Sequence, residues 1–404
     1  MKRKRRIKKA RLAMVLGAIL LVSVSVTTYA GSLFFGRENS VETKEKNSEK
    51  KTVTNTKKNT SSFTFAGVGD NLIHQAIFSQ YEMGDTNYNF NEDYALMKPY
   101  IEPADLSFIN QETICAGEAY GLSHYPQFNG PTQILDAVAN TGFDWLAASS
   151  NHSLDKGSDA LIAELNYLEE NYPDISVTGA YQSKEKADQY IVREVNGIKV
   201  GLLGYTYGLN GIPLPEDMPW LVDLIDEDQI QEDMENISKI SDVQIVSMHW
   251  GTEYHTEIEE QQQELSRKMN EWGVEVIIGT HPHVIKPAEI IQGEKQDTLC
   301  YYSLGNFLSA QDTNEGMVGG MATFTLQYDF DAQKTTFKDV KFTPTVMYYD
   351  PAFTTFKVMT IHDYNDDYIP THYVASLGYD MTKEWIQNYV KDIMGSPEGI
   401  EVVV

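Results

Sequence analysis

Asp, Glu, Asn and His recur in this sequence at the ends of five short apolar runs, and together they have the chemistry of a mixed oxygen and nitrogen metal shell. Phe63 to Gly69 runs into Asp70, with His74 just beyond. Leu106 to Asn110 runs into Glu112, and Phe143 to Ala148 leads to Asn151 and His152. Val243 to Met248 ends at His249, and Val274 to Thr280 ends at His281, Pro282 and His283. Runs of this length, rich in Val, Ile and Phe, read as strands buried on both faces. Ligands of open α/β sheets gather where strands end at their carboxyl edge. Five such ends around one point would hold a divalent cation, Mn, Fe or Zn, singly or as a pair. Such an ion activates water and polarises an electrophile.

Each end also has a plainer reading. Asp70 suits the N-cap of a following helix. Asn110 and Glu112 fit a turn with a surface carboxylate, and Asn151-His152 fits a polar turn. His281 and His283 alternate in an extended segment stiffened by Pro282, which points both rings the same way. Five coincident ends favour a shared metal site over five unrelated turns. His255, on the loop after Trp250, is placed to border the cleft and touch substrate. Asn306, after Leu304-Gly305, fits either a cleft contact or a turn. His124, His362 and His372 read as surface residues. The sequence has no Gly-x-Ser-x-Gly elbow and no phosphate-binding Gly-rich loop, so serine hydrolysis and ATP use lack support.

The elements that must position these residues alternate strand and helix from Phe63 onward. Helical periodicity covers Thr132–Val138, Asp159–Glu170 and Glu259–Trp272, the last stopped by Gly273. Asn196-Gly197 between Ile191–Val195 and Ile198–Leu203 signals a hairpin. After residue 310 the pattern turns to alternating antiparallel strands, Met321–Tyr328 and Thr336–Phe342, and a helix over Thr382–Met394. Residues 63–310 are expected to form one α/β domain that 311–404 completes.

Ahead of it, residues 2–11 carry eight basic and no acidic side chains, and no charge appears from Leu12 to Gly36. That is long enough to cross a bilayer. Residues 1–11 are expected in the cytoplasm, 12–35 as a transmembrane anchor, and 36–62 as a disordered linker. A cleavable signal peptide ending at Ala30 is the competing reading. Either way the main domain lies outside the cell. Residues 1–62 hold 15 basic and 4 acidic side chains, leaving 17 basic and 54 acidic beyond them. A domain this acidic is no nucleic-acid binder. Cys115 and Cys300 permit one disulfide or two buried thiols.

At Gly69-Asp70-x3-His74, Asn110-x-Glu112, Ser150-Asn151-His152 with Asp155, His249-Trp250-Gly251, Gly279-Thr280-His281-Pro282-His283 and Tyr302 to Phe307, the chain resembles the CapA family of poly-gamma-glutamate capsule biosynthesis proteins. The resemblance covers residues 63–310. It implies a calcineurin-like metallophosphoesterase fold: two packed mixed sheets flanked by helices. It also implies a role in making, exporting or anchoring poly-gamma-glutamate beside membrane-embedded synthase subunits. Asp70, His74, Glu112, Asn151, His249, His281 and His283 would then hold metal, with His152 and Asp155 catalytic and His255 and Asn306 facing substrate. The chain departs from dinuclear phosphoesterases twice. Position 72 is Leu where they carry the His of an Asp-x-His opening, and Glu112 stands where they carry a bridging Asp.

Overall fold

In a computed structural model of the chain, residues 59–79, 81 and 88–404 are described. The expected cytoplasmic segment, the anchor and most of the linker lie outside the described residues. Among the described residues no helix is long and apolar enough to cross a membrane. Thr60–Ser62, expected in the linker, pair with Gln327–Asp329 as the start of the first strand.

Strands β1 (Thr60–Asn71), β2 (Leu106–Gln111), β3 (Trp145–Ala147) and β4 (Ser176–Thr178) lie parallel, side by side. Next come β5 (Ile191–Val195) and β6 (Ile198–Thr206), an antiparallel hairpin. Its turn places Asn196 at φ 51° and Gly197 at φ 81°, the left-handed pair a two-residue hairpin favours. Strands β7 (Val243–His249) and β8 (Val276–Thr280) extend β6 in parallel, and β9 (Ala288–Ile291) and β10 (Thr298–Tyr301) close that sheet as β5-β6-β7-β8-β10-β9. Then β11 (Asn306–Leu308) pairs with the end of β1. Finally β12 (Val318–Asp329), β13 (Lys334–Tyr349) and β14 (Phe356–Thr360) return to the first sheet as β14-β13-β12-β1-β2-β3-β4, with β15 (Glu401–Val402) beside β13. The fold is thus mixed α/β with two packed sheets.

Alternation along the strands explains the packing. Ile198, Val200, Val243, Ile245 and Ile278 of the second sheet join Phe65, Phe108 and Trp145 of the first in one core. Their neighbours Leu203, Tyr205, Val246, Met248 and Ile277 face the other way, onto Ile230, Met234, Leu265 and Met269 of helices Glu227–Ile237 and Glu260–Trp272. Both faces of the second sheet are therefore covered, as its largely apolar central strands require. Each such large side chain adds roughly 1.5–3 kcal/mol on burial.

One residue of the sequence reading changes place here. His372, expected on the surface, is fully buried. Its Nε2 lies 2.9 Å from the Met347 carbonyl, and its Nδ1 accepts the Val374 N–H, capping a short helix. Burial depresses its pKa to about 4, against the Met347 bond. Sequence spacing gave no sign of this, because the strand that buries it is distant along the chain. Cys115 and Cys300 are both free and buried. They sit in different cores, one between the sheets and one outside the second.

Candidate metal centre

The centre lies where the carboxyl ends of both sheets meet, so it draws on five strands. Two glycines make the approach possible. A Cβ on Gly69 would stand 1.8 Å from the Gly305 carbonyl, and one on Gly279 2.1 Å from the Tyr302 carbonyl. Glycine at both lets the 302–306 segment cross the tops of β1 and β8. The Asp70 N–H donates to the Gly305 carbonyl at 2.9 Å, which sets Asn306 beside Asp70.

Asp70 is fully buried at the end of β1. Its carboxylate accepts from Asn110 Nδ2 at 2.8 Å and from the His281 N–H at 3.2 Å, and stands 3.3 Å from His283 Nδ1. These partners rule out a helix-capping role. Glu112, just past β2, is 1% exposed, and neither of its oxygens has a hydrogen-bond partner. It is therefore no surface turn residue. Burial raises its pKa well above the carboxylate range, opposed by His283 and reinforced by Asp70. His283 Nε2 lies 3.4 Å from Glu112 Oε1, and its Nδ1 lies 3.1 Å from Asn306 Oδ1. Burial alone would depress His283, but Glu112 and Asp70 prevail and push it up to about 9.

The second sheet supplies neutral imidazoles. His249, at the end of β7, has Asn151 Oδ1 2.8 Å from Nε2 and Thr280 Oγ1 3.1 Å from Nδ1. Burial, aided by His281, His283 and His152, pushes it well below its ordinary value. His281 is also buried, its Nδ1 has no partner, and burial takes it down to about 2. A neutral imidazole with an open lone pair is the form that binds metal. The expected extended His-x-His geometry is not found. His281 sits at φ 96° and His283 at φ 61°, so left-handed backbone, not strand alternation, turns both rings into the centre.

Three groups of these side chains offer ligand atoms within 4.8 Å of one another: Glu112, His249 and His281; Asp70, Glu112 and His283; and Glu253, His281 and His283. Orphaned buried atoms fit a cation, since Glu112 Oε1 and Oε2, Asn110 Oδ1 and His281 Nδ1 all lack partners. Buried polar groups are normally paired, and each exception asks for an explanation.

Other expected residues take supporting places. Asn151 is buried and orients His249. His152 is buried with Asp155 Oδ2 at 2.7 Å from its Nδ1, and Asp155 also accepts the Phe128 N–H. Asp155 is thus a positioning residue for His152. His74 falls outside the three groups: its Nδ1 accepts the Ala310 N–H, and burial lowers its pKa to about 4. Asn306 is buried. Its Nδ2 donates to the His283 carbonyl, Gln311 and Gly316, fixing the turn that holds His283. His255 is exposed on the loop after β7.

Sequence reasoning missed Glu253, Tyr207 and Asn210. Glu253 lies four residues past His249, on the loop after β7. Tyr207 is 47% exposed, and its ring centroid lies 4.6 Å from that of His281. Asn210, at φ 50° in a turn, accepts from Asn151 Nδ2 through its Oδ1 at 3.2 Å, and its Nδ2 lies 3.4 Å from His152 Nδ1.

The profile of the family described as bacterial capsule synthesis protein PGA_cap matches residues 64–311, the span that carries all these ligands. The chain belongs to that family. It is 29% identical over 178 residues to the PGA biosynthesis protein CapA of Bacillus subtilis, covering 44% of this chain and 45% of that one. To the capsule biosynthesis protein CapA of Bacillus anthracis it is 26% identical over 183 residues, 44% and 43% of the two chains. The chain thus spans under half the length of the curated relatives it matches. Among solved structures, a putative 5'-nucleotidase from Staphylococcus aureus in complex with alpha-ketoglutarate is 18% identical with a TM-score of 0.45, covering 82% of this chain and 59% of that one. A phosphatase from Mycoplasma pneumoniae is 15% identical with a TM-score of 0.42, covering 71% and 94%. Overlap at that level fixes no activity.

Proposed function

We propose that this PGA_cap protein is a membrane-anchored, extracytoplasmic member of the machinery for poly-gamma-glutamate synthesis, export or anchoring, with a divalent metal centre in a metallophosphoesterase-like cleft. One observation carries the metal reading: buried, unpartnered acceptors from both sheets converge on one point. Family membership supports the capsule role. The uncharged run over residues 12–35, behind a basic segment, supports the anchor beside membrane-embedded synthase subunits.

Asp70, Glu112, His249, His281 and His283, with Glu253 beside them, would hold one divalent cation or two. Mn, Fe and Zn suit such a donor set. When bound, the metal supplies Lewis acidity and a more acidic bound water. The chain's own groups do the rest. Asn151 and Thr280 fix the His249 ring, and Asn306 fixes His283. Asp155 takes the Nδ1–H of His152, leaving Nε2 as the atom that exchanges a proton with a leaving group. That His152–Asp155 pair also favours a second reading: a metal-dependent phosphoesterase acting on another envelope substrate.

The test is capsule polymer in a producing strain whose own family member is replaced by this chain or its Asp70→Ala/His281→Ala variant. The account expects polymer to fall to background at unchanged protein level. Full polymer from a variant that holds no metal would contradict it. Full polymer, lost metal and lost hydrolysis of a phosphodiester would favour the second reading.

A further inference from the structure

Tyr254 breaks a backbone rule. It holds φ 63°, a left-handed conformation that bulky side chains rarely adopt, yet it is 55% exposed. Burial of the side chain therefore does little to offset the strain. Two bonds keep it there: its N–H donates to the Pro282 carbonyl at 2.8 Å, and Gln311 Nε2 donates to its hydroxyl at 3.3 Å. Gln311 is itself held by Asn306 at 2.9 Å. The ring is thereby fixed with its centroid 5.8 Å from that of His283. Strained residues of this kind cluster at ligand sites.

Two further tyrosines border the same centre. Tyr207 sets its ring against that of His281. Tyr125 is 69% exposed and packs on Phe128, whose ring lies 4.8 Å from that of His152. All three tyrosines are exposed, whereas the imidazoles behind them are buried. Tyrosines so placed offer aromatic faces to whatever organic group projects from a ligand on the centre.

Charge selects which group. Glu253 precedes Tyr254, and the exposed Asp312 follows Gln311. Burial pushes the Tyr254 phenol up to about 12, and Glu253, Glu112, Tyr125 and Asp312 add to the rise through space. Burial likewise raises Tyr207, with Glu253 and Glu112 behind it. A second anion on the ligand would meet these carboxylates and the negative faces of the rings. A cation is attracted by both. An uncharged group gains only the ring contact.

We propose that Tyr254 and Tyr125, beside Glu253 and Asp312, form a subsite for the ammonium group of a phosphoryl or phosphonyl ligand whose oxygens sit on the metal centre. Tyr207 walls the His281 side. The 5.8 Å between the His283 and Tyr254 rings suits a short linker, as in an aminoethyl ester or a choline ester. The proposal rests on the metal reading for the phosphoryl end, while the ammonium end stands on its own residues.

Calorimetry on the manganese-loaded full chain compares aminoethylphosphonate with propylphosphonate, which has the same shape and no ammonium, and with phenylphosphonate, a flat neutral ring. The carbon–phosphorus bond of all three resists hydrolysis. Aminoethylphosphonate should bind about tenfold tighter than either. Tyr254→Ala should erase most of that preference at unchanged manganese content, and Tyr254→Phe, which keeps the ring, should retain it. Folding of each variant is checked by melting. Asp312→Asn, at an exposed position, is the second variant and should lower the preference about threefold. Equal binding of aminoethyl- and propylphosphonate, tighter binding of phenylphosphonate, or a preference that survives Tyr254→Ala overturns the proposal. Choline titrated into the chelator-stripped chain separates it from the metal reading. Choline binding that Tyr254→Ala abolishes supports the subsite whatever becomes of the centre. Phosphonates bound with no ammonium preference, or no choline binding by a chain that holds no metal, sinks the subsite.

Discussion

The two ends of strand β8 bury ionisable groups in opposite ways. At its start, Glu275 is 2% exposed, and its carboxylate accepts the Gln244 N–H at 2.6 Å while its own N–H returns to the Gln244 carbonyl. At its finish, His281 is equally buried, holds a left-handed backbone and leaves Nδ1 unpaired. The first end spends its polar group on pinning two parallel strands together. The second keeps a lone pair open at a local cost in free energy. Chains tolerate such a cost where a site needs it, and the same contrast separates satisfied His372 from unsatisfied Glu112.

The largest effect should come from breaking the open end. His281→Asn keeps a residue type that tolerates positive φ but removes the imidazole. Divalent metal affinity is expected to fall at least about a thousandfold, while the stability of the metal-free chain moves by less than about 1 kcal/mol. Competition with a metal-binding dye and chemical denaturation give the two numbers. A large stability loss with metal retained would mean that His281 is a structural residue like Glu275.

His372→Ala should do the reverse. It removes the bond to the Met347 carbonyl, the cap on Val374 and a fully buried ring. The expected loss is about 2–4 kcal/mol with metal content unchanged. Denaturant melts paired with metal analysis check it.

The smallest effect concerns pH. Burial raises Glu275 from 4.5 to about 8, opposed by the Gln244 bond. Between those values the folded chain holds a proton that the unfolded chain releases, so Glu275 makes stability decline as pH rises. Its share of the slope is at most about 1.4 kcal/mol per pH unit. Glu275→Gln should flatten the decline between pH 5 and 8, gaining on the order of 1 kcal/mol at the upper end. Melting temperatures across that range would show it, and an unaltered slope would mean that Glu275 stays ionised.

Much of the centre was legible because strand ends are written in the sequence. Val243–His249 and Val276–Thr280 are mostly apolar and carry their ligands at or just past the last residue. Period-2 and helical patterns likewise marked the hairpin at Asn196-Gly197 and the helix ending at Gly273. What distance along the chain conceals was not legible. Asn306 and Thr280 orient histidines through contacts made only after the sheets pack, and His372 is buried by a strand some 25 residues away. Glu253 and Tyr207 sit on loops, where side chains lack the period that betrays direction. The backbone at His281 and His283 also misleads, since Pro282 between two His suggests extension and the fold imposes two left-handed turns.

Metal content of the full-length chain, purified after growth with Mn, Fe and Zn present, tests the centre most directly when measured beside the Asp70→Ala variant. The account predicts one or two tightly held divalent ions per chain and none in the variant at matched folding. A folded wild-type chain that retains no metal, or a variant that retains as much, would contradict it.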